Sequence, residues 1–121
     1  MNIAIIGASA DRSKFGNKCV RAYLSKGFSV FPVNPKEKEI EGLKCYSRIT
    51  EIHESLDIVS LYLPPDKIHM VASDILAKKP RIVYFNQGTE NEELAKKFRD
   101  AGIDVREECS IRALGLSPAS F

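Results

Sequence analysis

Residues 3–16 read IAIIGASADRSKFG, a short apolar run that leads into a glycine-started loop carrying charges of both signs. The run Ile3–Ile6 is apolar at every position, which is typical of a strand buried on both faces of a sheet. A helix fits the next stretch, Phe15–Lys26, because its apolar residues recur at three- and four-residue spacing. Strand, loop and helix in this order predict the first unit of a parallel α/β fold.

The same alternation continues along the rest of the chain. Four further strands are predicted at Phe28–Val33, Asp57–Leu63, Arg81–Phe85 and Ile103–Arg106. Pro65 suits the start of one intervening helix, and Thr89 with Glu92 forms a capping-box pattern that begins another. The intervals between are less regular. They contain an extended piece at Leu43–Tyr46, a short helix around Ile49, Ile52 and Leu56, and a helical turn at Ser110–Leu114.

Strands that alternate with helices are joined by right-handed crossovers and therefore run parallel. We expect a Rossmann-like α/β fold: a doubly wound, five-stranded parallel sheet of order 3-2-1-4-5 in a three-layer sandwich, formed as a single domain over residues 1–121. Such sheets bind ligands beyond the carboxyl ends of the strands, where the strand order reverses. In this order the site lies between strand one and strand four.

Composition and charge argue against nucleic-acid-binding, membrane and secreted proteins. A net charge of +2 is too weak to indicate a nucleic-acid partner, and no apolar run approaches the length of a membrane span or a signal peptide. The three cysteines are widely spaced and match no zinc or redox motif, which favours reduced thiols and a cytoplasmic location. Composition therefore gives no indication of a nucleic-acid or membrane partner.

The first loop has the features of an anion site. Gly7 permits a tight turn, Ser9 offers a hydroxyl, and a helix start near Phe15 or Gly16 offers free N–H groups and the positive end of a dipole. Together they suit a diphosphate, although the two glycines could instead serve only the turn and close helix packing. Ser9 stands where the dinucleotide fingerprint G-x-G-x-x-G has its second glycine, so the loop departs from that pattern.

The end of the second strand gives another indication. NAD-binding folds usually place a carboxylate there for the ribose diol, whereas this chain has Asn34-Pro35 followed by Lys36 and Lys38. The lysines suit a phosphorylated ribose, which both coenzyme A and NADP carry, or they simply face solvent in a loop. The residues alone do not separate these alternatives.

With these residues identified, the chain resembles small coenzyme A-binding proteins, the single-domain relatives of the N-terminal domain of the succinyl-CoA synthetase alpha subunit. The most specific piece is Val30–Pro35, VFPVNP, and the match also includes Gly7-Ala8-Ser9 with Gly16 and the pair Ala101-Gly102. Leu63 stands where the family often has arginine, and Asn86 where it often has glutamine.

The resemblance implies roles for particular residues. The first loop takes the diphosphate, the turn after strand two takes the 3′-phosphate end of the adenosine, and the turn after strand three flanks the nucleotide. Together with the loop positions at the strand ends, the candidate cofactor-binding residues are Gly7, Ala8, Ser9, Arg12, Lys14, Phe15, Gly16, Asn34, Pro35, Lys36, Tyr62, Leu63, Pro64, Asn86 and Gly88.

No catalytic or metal motif accompanies these residues. The two histidines, His53 and His69, fall on predicted helices outside the crevice. We therefore expect non-catalytic binding of coenzyme A or an acyl-CoA, with no metal; a homodimer formed through exposed helices stays open. The alternatives are an NAD(P)-dependent reductase and a partner-binding protein whose nucleotide site has decayed. Cys109, after the last strand, is either a thiol at the ligand end or a small buried hydrophobe.

Overall fold

The computed structural model describes residues 1–121. The strands are β1 (Asn2–Ile6), β2 (Ser29–Val33), β3 (Glu39–Ile40), β4 (Leu43–Lys44), β5 (Ile58–Leu61), β6 (Ile82–Phe85) and β7 (Asp104–Arg106). The α-helices are α1 (Phe15–Ser25), α2 (His69–Lys78) and α3 (Glu92–Asp100). Single 3₁₀ turns occur at Ile49–Glu51, Pro65–Lys67, Arg112–Leu114 and Pro118–Ser120. None of the helices has the length and apolar character that crossing a membrane requires.

One sheet of five parallel strands organises the molecule, in the order β2-β1-β5-β6-β7, and β3 and β4 form a separate small hairpin. In the central pairs, Ile3 lies opposite Ile58, and Ile58 lies opposite Ile82. The parallel sheet flanked by helices confirms the Rossmann-like fold expected from the sequence.

The outer edge of the sheet beyond β2 carries a rudimentary extra strand. Tyr46 forms a parallel bridge to Val33: its N–H donates to the Pro32 carbonyl at 3.0 Å, and its carbonyl accepts from Asn34 N–H at 2.9 Å. When this bridge is counted as the third strand, the order matches the 3-2-1-4-5 pattern. The segment predicted as strand three is then strand four, β5.

This shift corrects the expected position of the crevice. The strand beside β1 is β5, so the order reverses between these two strands and not between β1 and the strand formed by Arg81–Phe85. The sequence did not reveal this because the third strand is reduced to one bridging residue, which leaves no apolar run to recognise.

The core lies on both faces of the sheet. Along β1, Ile3 and Ile5 pack on one side against residues of α1, while Ala4 and Ile6 pack on the other against residues of α2 and α3. This two-sided burial explains why every position of Ile3–Ile6 is apolar. The three-layer arrangement places the amino end of α1 directly after β1.

Two helix starts differ from the sequence predictions. Pro65 begins a 3₁₀ turn and α2 begins only at His69. The capping box of Thr89 with Glu92 is wrong: Asn91 caps α3 by accepting from Leu94 N–H at 3.1 Å. The Thr89 hydroxyl donates instead to the Asn86 carbonyl at 2.7 Å, which closes the turn after β6.

The short helix expected around residues 49–56 is also wrong, because only the 3₁₀ turn Ile49–Glu51 forms there. The apolar residues that suggested it, Ile49, Ile52 and Leu56, are all buried in the core face shared with α2 and α3. Their spacing reflects burial of an irregular segment. The helical turn expected at 110–114 is present as the 3₁₀ turn Arg112–Leu114.

Candidate functional site

Two glycines allow three segments to meet at the carboxyl end of β1. Gly7 has φ +88, its N–H donates to the Val33 carbonyl at 3.1 Å, and a Cβ there would lie 2.8 Å from the carbonyl carbon of Tyr62. A Cβ on Gly16 would overlap the Gly7 carbonyl oxygen and lie 3.2 Å from Ala8 Cα. The loop, the start of α1 and the end of β5 therefore approach each other more closely than any side chain permits.

Unpartnered amides surround this point. The N–H groups of Ala8 and Ser9 have no hydrogen-bond partner in the protein, and neither have those of Phe15 and Gly16 at the start of α1. Lys14, the N-cap residue, makes no side-chain capping bond. The positive end of an 11-residue helix and several free donors thus lie close together, which is the arrangement that binds phosphate groups.

The rest of the loop is braced by Asp11. Its carboxylate accepts from Ser13 N–H at 3.0 Å and from the Ser13 hydroxyl at 2.7 Å, and these bonds hold the pKa of the Asp11 carboxyl below its ordinary value of 3.8. Asp11 N–H donates to Ser9 Oγ at 3.0 Å. The Ser9 hydroxyl keeps its own proton available, so it can still donate to a ligand oxygen.

A buried amide that the sequence did not single out supports the loop from beneath. Asn17 donates through Nδ2 to the Ser9 carbonyl at 2.9 Å and to Glu41 Oε2 at 3.1 Å. Arg12 lies 3.5 Å from the same Glu41 carboxylate, so this expected phosphate ligand has an anionic partner already. Lys14 forms no ion pair, which leaves it as the available cation of the loop.

On one side of the loop lies a hollow of about 540 Å³, here called the β2 crevice. Five of the candidate residues line it: Gly7, Asn34, Pro35, Lys36 and Leu63. The Asn34 side chain donates to the Ala8 carbonyl and accepts from Lys36 N–H, both at 2.8 Å, so it holds the two loops together. Lys67, from the 3₁₀ turn before α2, also lines the crevice and is a second cation that sequence reasoning missed.

On the other side lies a hollow of about 630 Å³, here called the β6 cavity. Its lining residues are Phe15, Lys18, Tyr62, Asn86, Gln87, Cys109, Arg112, Pro118 and Ala119. Gly7 and Leu63 line the β2 crevice while Phe15 and Tyr62 line the β6 cavity, so the amide-bearing loop lies between the two hollows.

The Asn86 side chain, expected to meet a ligand, is engaged in the protein itself. Its Nδ2 donates to Ser60 Oγ at 2.8 Å and to the Leu61 carbonyl at 2.9 Å, and its Oδ1 accepts from Ser110 N–H at 2.8 Å. The Tyr62 hydroxyl lies 3.3 Å from Ser110 Oγ, and burial raises the pKa of that phenol. Asn86 therefore fixes the turn that presents Cys109, a role invisible in the sequence because its partners come from two distant segments, β5 and the turn at Ser110.

Pro64 and Gly88 line neither hollow. Pro64 precedes the 3₁₀ turn at Pro65 and is exposed. Gly88 has φ +90, and its N–H donates to the Glu90 carboxylate at 2.9 and 3.0 Å. Both residues shape turns beside the candidate site.

The cysteines differ in their surroundings. Burial raises the pKa of the Cys19 thiol to about 11, and burial also raises the pKa of Cys45. Cys109 is half-buried, packs against the core and lines the β6 cavity. No group of three or more His, Cys, Asp or Glu side chains is arranged to hold a metal ion.

Comparison with known proteins gives one consistent family. A family model described as "CoA binding domain" matches residues 1–114. Among curated proteins, YneT of Bacillus subtilis is 28% identical over 103 residues, which is 85% of this chain and 76% of that protein. Acetate–CoA ligase [ADP-forming] II of Archaeoglobus fulgidus is 26% identical over 118 residues, which is 94% of this chain but only 18% of the ligase.

Solved structures agree with this result. A conserved hypothetical protein from Pyrococcus furiosus is 35% identical with a TM-score of 0.84, and the match covers 93% of this chain and 97% of that one. The dinucleotide-forming acetyl-coenzyme A synthetase 1 of Ca. Korarchaeum cryptofilum, solved with phosphate and ADP, is 31% identical with a TM-score of 0.75. That match covers 88% of this chain and 25% of the synthetase chain.

Proposed function

The chain belongs to the CoA binding domain family, and from that premise we propose that it binds coenzyme A or an acyl-CoA without catalysing a reaction on it. The observation that carries the proposal is the cluster of unpartnered N–H groups on Ala8, Ser9, Phe15 and Gly16. These donors are fixed by glycine-dependent contacts, so a diphosphate would meet a site that is already formed.

The diphosphate is held by the loop. Its oxygens accept from the free amides and from the Ser9 hydroxyl, and Lys14 supplies a positive charge beside the helix dipole. Hydrogen bonds to charged groups contribute about 1.5–3 kcal/mol each, so two or three of them dominate the free energy of binding. Arg12 is tied to Glu41 and contributes less.

The adenosine end occupies the β2 crevice. Pro35 and Leu63 supply apolar walls for the base, and Lys36 and Lys67 form no ion pairs and are free to meet the 3′-phosphate. The other charged groups of this hollow, Arg48 and Asp74, are joined by hydrogen bonds of 2.8 and 3.1 Å. The unpaired cations of the crevice are thus the two lysines.

The pantetheine arm extends past Phe15 and Tyr62 into the β6 cavity, where Cys109 lies. A volume of about 630 Å³ is within the range of small-molecule sites, roughly 300–1,000 Å³. The binding-only role is supported by the side chains of the two hollows. Neither histidine lines the β2 crevice or the β6 cavity. The pKa of the Tyr62 phenol is raised, and its hydroxyl is hydrogen-bonded to Ser110.

Calorimetric titration tests the proposal directly. We expect CoA to bind the purified protein, dephospho-CoA to bind about tenfold more weakly, and NADP not to bind. Lys36→Ala should reduce the difference between CoA and dephospho-CoA, whereas Lys14→Ala should weaken the binding of both. Lys97→Ala, on the exposed face of α3, is the matched control and should change neither.

The other outcomes identify the competing functions. Preference for NADP over CoA would contradict the proposal and favour a reductase, and binding of neither would favour a partner-binding protein without a nucleotide. Acetyl-CoA incubated with the protein should stay intact by chromatography, and protein-dependent release of free CoA would contradict the non-catalytic role.

A further inference from the structure

Two unpaired cations face the β6 cavity. Lys18 comes from α1 and Arg112 from the 3₁₀ turn Arg112–Leu114, so two distant parts of the chain supply them. Neither forms an ion pair, and the Lys18 Nζ lies 5.4 Å from the centre of the Phe15 ring. The cavity therefore carries two positive charges that the protein does not balance.

The remaining lining groups offer nothing to neutralise these charges. No Asp or Glu lines the cavity. The Asn86 side chain donates and accepts within the protein, and the Tyr62 hydroxyl is engaged with Ser110, so neither supplies a negative charge. Apolar surface from Phe15, Pro118 and Ala119 forms much of the remaining wall, and the neutral side chains of Gln87 and Cys109 complete it. The chemistry that fits is an apolar chain ending in an anion.

The position of the β6 cavity relative to the loop indicates which part of a bound cofactor would enter it. Phe15 bears one of the free amides of the loop, and Tyr62 contacts Gly7, so the cavity opens at the loop on the side away from the β2 crevice. If the adenosine occupies the β2 crevice and the diphosphate the loop, as proposed above, then the sulfur end of the cofactor lies here.

We propose that the β6 cavity binds the acyl group of a CoA thioester whose acyl chain ends in a carboxylate. The inference rests on the proposed function. The methylene groups pack against the apolar walls, and the terminal carboxylate lies between Lys18 and Arg112, where it balances charge that free CoA leaves uncompensated.

Two stable thioethers of CoA provide a matched pair of probes: the carboxypropyl thioether, and the butyl thioether, in which a methyl group replaces the carboxylate. We expect the carboxypropyl form to bind about tenfold more tightly by calorimetry. Lys18→Gln and Arg112→Gln should each bring this ratio toward one. Lys97→Gln should preserve the ratio.

The results separate the two proposals. Equal binding of the two thioethers, with CoA also bound, would overturn this inference alone. Equal loss of affinity for CoA and both thioethers in the Lys18 or Arg112 variants would overturn it as well, because the cations would then be phosphate ligands. Failure of CoA and both thioethers to bind would overturn the proposed function and this inference together.

Discussion

Adding a single methyl group at Gly7 tests both the loop geometry and its proposed role. Gly7 and Gly102 have nearly the same backbone conformation, with φ of +88 and +87. Alanine at either position costs the strain of positive φ, about 1–2 kcal/mol. Only at Gly7 does the new Cβ also meet backbone, 2.8 Å from the Tyr62 carbonyl carbon, whereas nothing lies within 4 Å of a Cβ on Gly102.

The overlap adds about 1–3 kcal/mol, as overpacking usually does, because the Tyr62 backbone cannot rotate away like a side chain. We therefore expect Gly7→Ala to lower the free energy of unfolding by about 2–5 kcal/mol and Gly102→Ala by about 1–2 kcal/mol in urea denaturation. Gly7→Ala should also lose CoA affinity by tenfold or more, since the loop must shift away from the end of β5 and its free amides move with it.

Calorimetry on the folded fraction of each variant separates these effects. Equal destabilisation by Gly7→Ala and Gly102→Ala would refute the close approach to Tyr62. A Gly7→Ala protein that is strongly destabilised but binds CoA with unchanged affinity would refute the loop as the diphosphate site.

Three further outcomes follow from groups in or near the β6 cavity. Asn86→Leu should lower the free energy of unfolding by about 2–4 kcal/mol in urea, because Ser110 N–H loses its acceptor inside the protein; a loss under 1 kcal/mol would show that water replaces the bond. Iodoacetamide followed by mass spectrometry should modify Cys109 before the buried Cys19 and Cys45, and CoA should slow that reaction; a rate unaffected by bound CoA would contradict pantetheine in the cavity. The Cys19 thiol has its pKa raised from 9.0 to about 11 in the folded protein, so the stability it contributes is complete below pH 9 and is lost as pH rises through 11. The unfolding free energy should therefore fall more steeply over that range than it does for Cys19→Ala, by up to about 3 kcal/mol, and equal slopes would contradict the shift.

Sequence periodicity predicted the sheet because burial on both faces leaves a simple signature. Ile3–Ile6 divides its side chains between two cores, and no polar residue interrupts it. Gly7 marked the turn, and the glycine after α1, Gly27, ends that helix with φ +81. These features depend on residues close together in the chain, which is why they are readable without the fold.

The order in which the strands pair was harder to predict from the sequence than the strands themselves. The third position of the sheet is held by Tyr46 alone, through hydrogen bonds to the backbone on either side of Val33. Hydrogen bonds between backbone groups require no particular side chain, so the sequence does not reveal this strand. The strand at β5 was therefore predicted to lie beside β2, whereas it pairs with β1. The capping prediction at Thr89 was wrong because the Thr89 hydroxyl donates to the Asn86 carbonyl and accepts no hydrogen bond from an α3 amide.

The sequence predicted which loops form the candidate site. It did not predict which charged side chains of those loops are paired within the protein. The sequence identified Lys14 and Arg12 together, but only the fold brings Glu41 to Arg12 and leaves Lys14 free. Asn86 was expected to face a ligand and is instead bonded to β5 and to Ser110. Contacts between residues that are dozens of positions apart decide which polar groups remain available to a ligand. The spacing of residues along the chain does not reveal these contacts.

A crystal structure of the protein with CoA would show whether the first loop holds the diphosphate. We expect diphosphate oxygens within hydrogen-bonding distance of the free N–H groups of Ala8, Ser9, Phe15 and Gly16, with adenosine toward Lys36 and the sulfur toward Cys109. A cofactor whose diphosphate lies elsewhere, with those amides still facing no ligand oxygen, would show that the loop is not the diphosphate site.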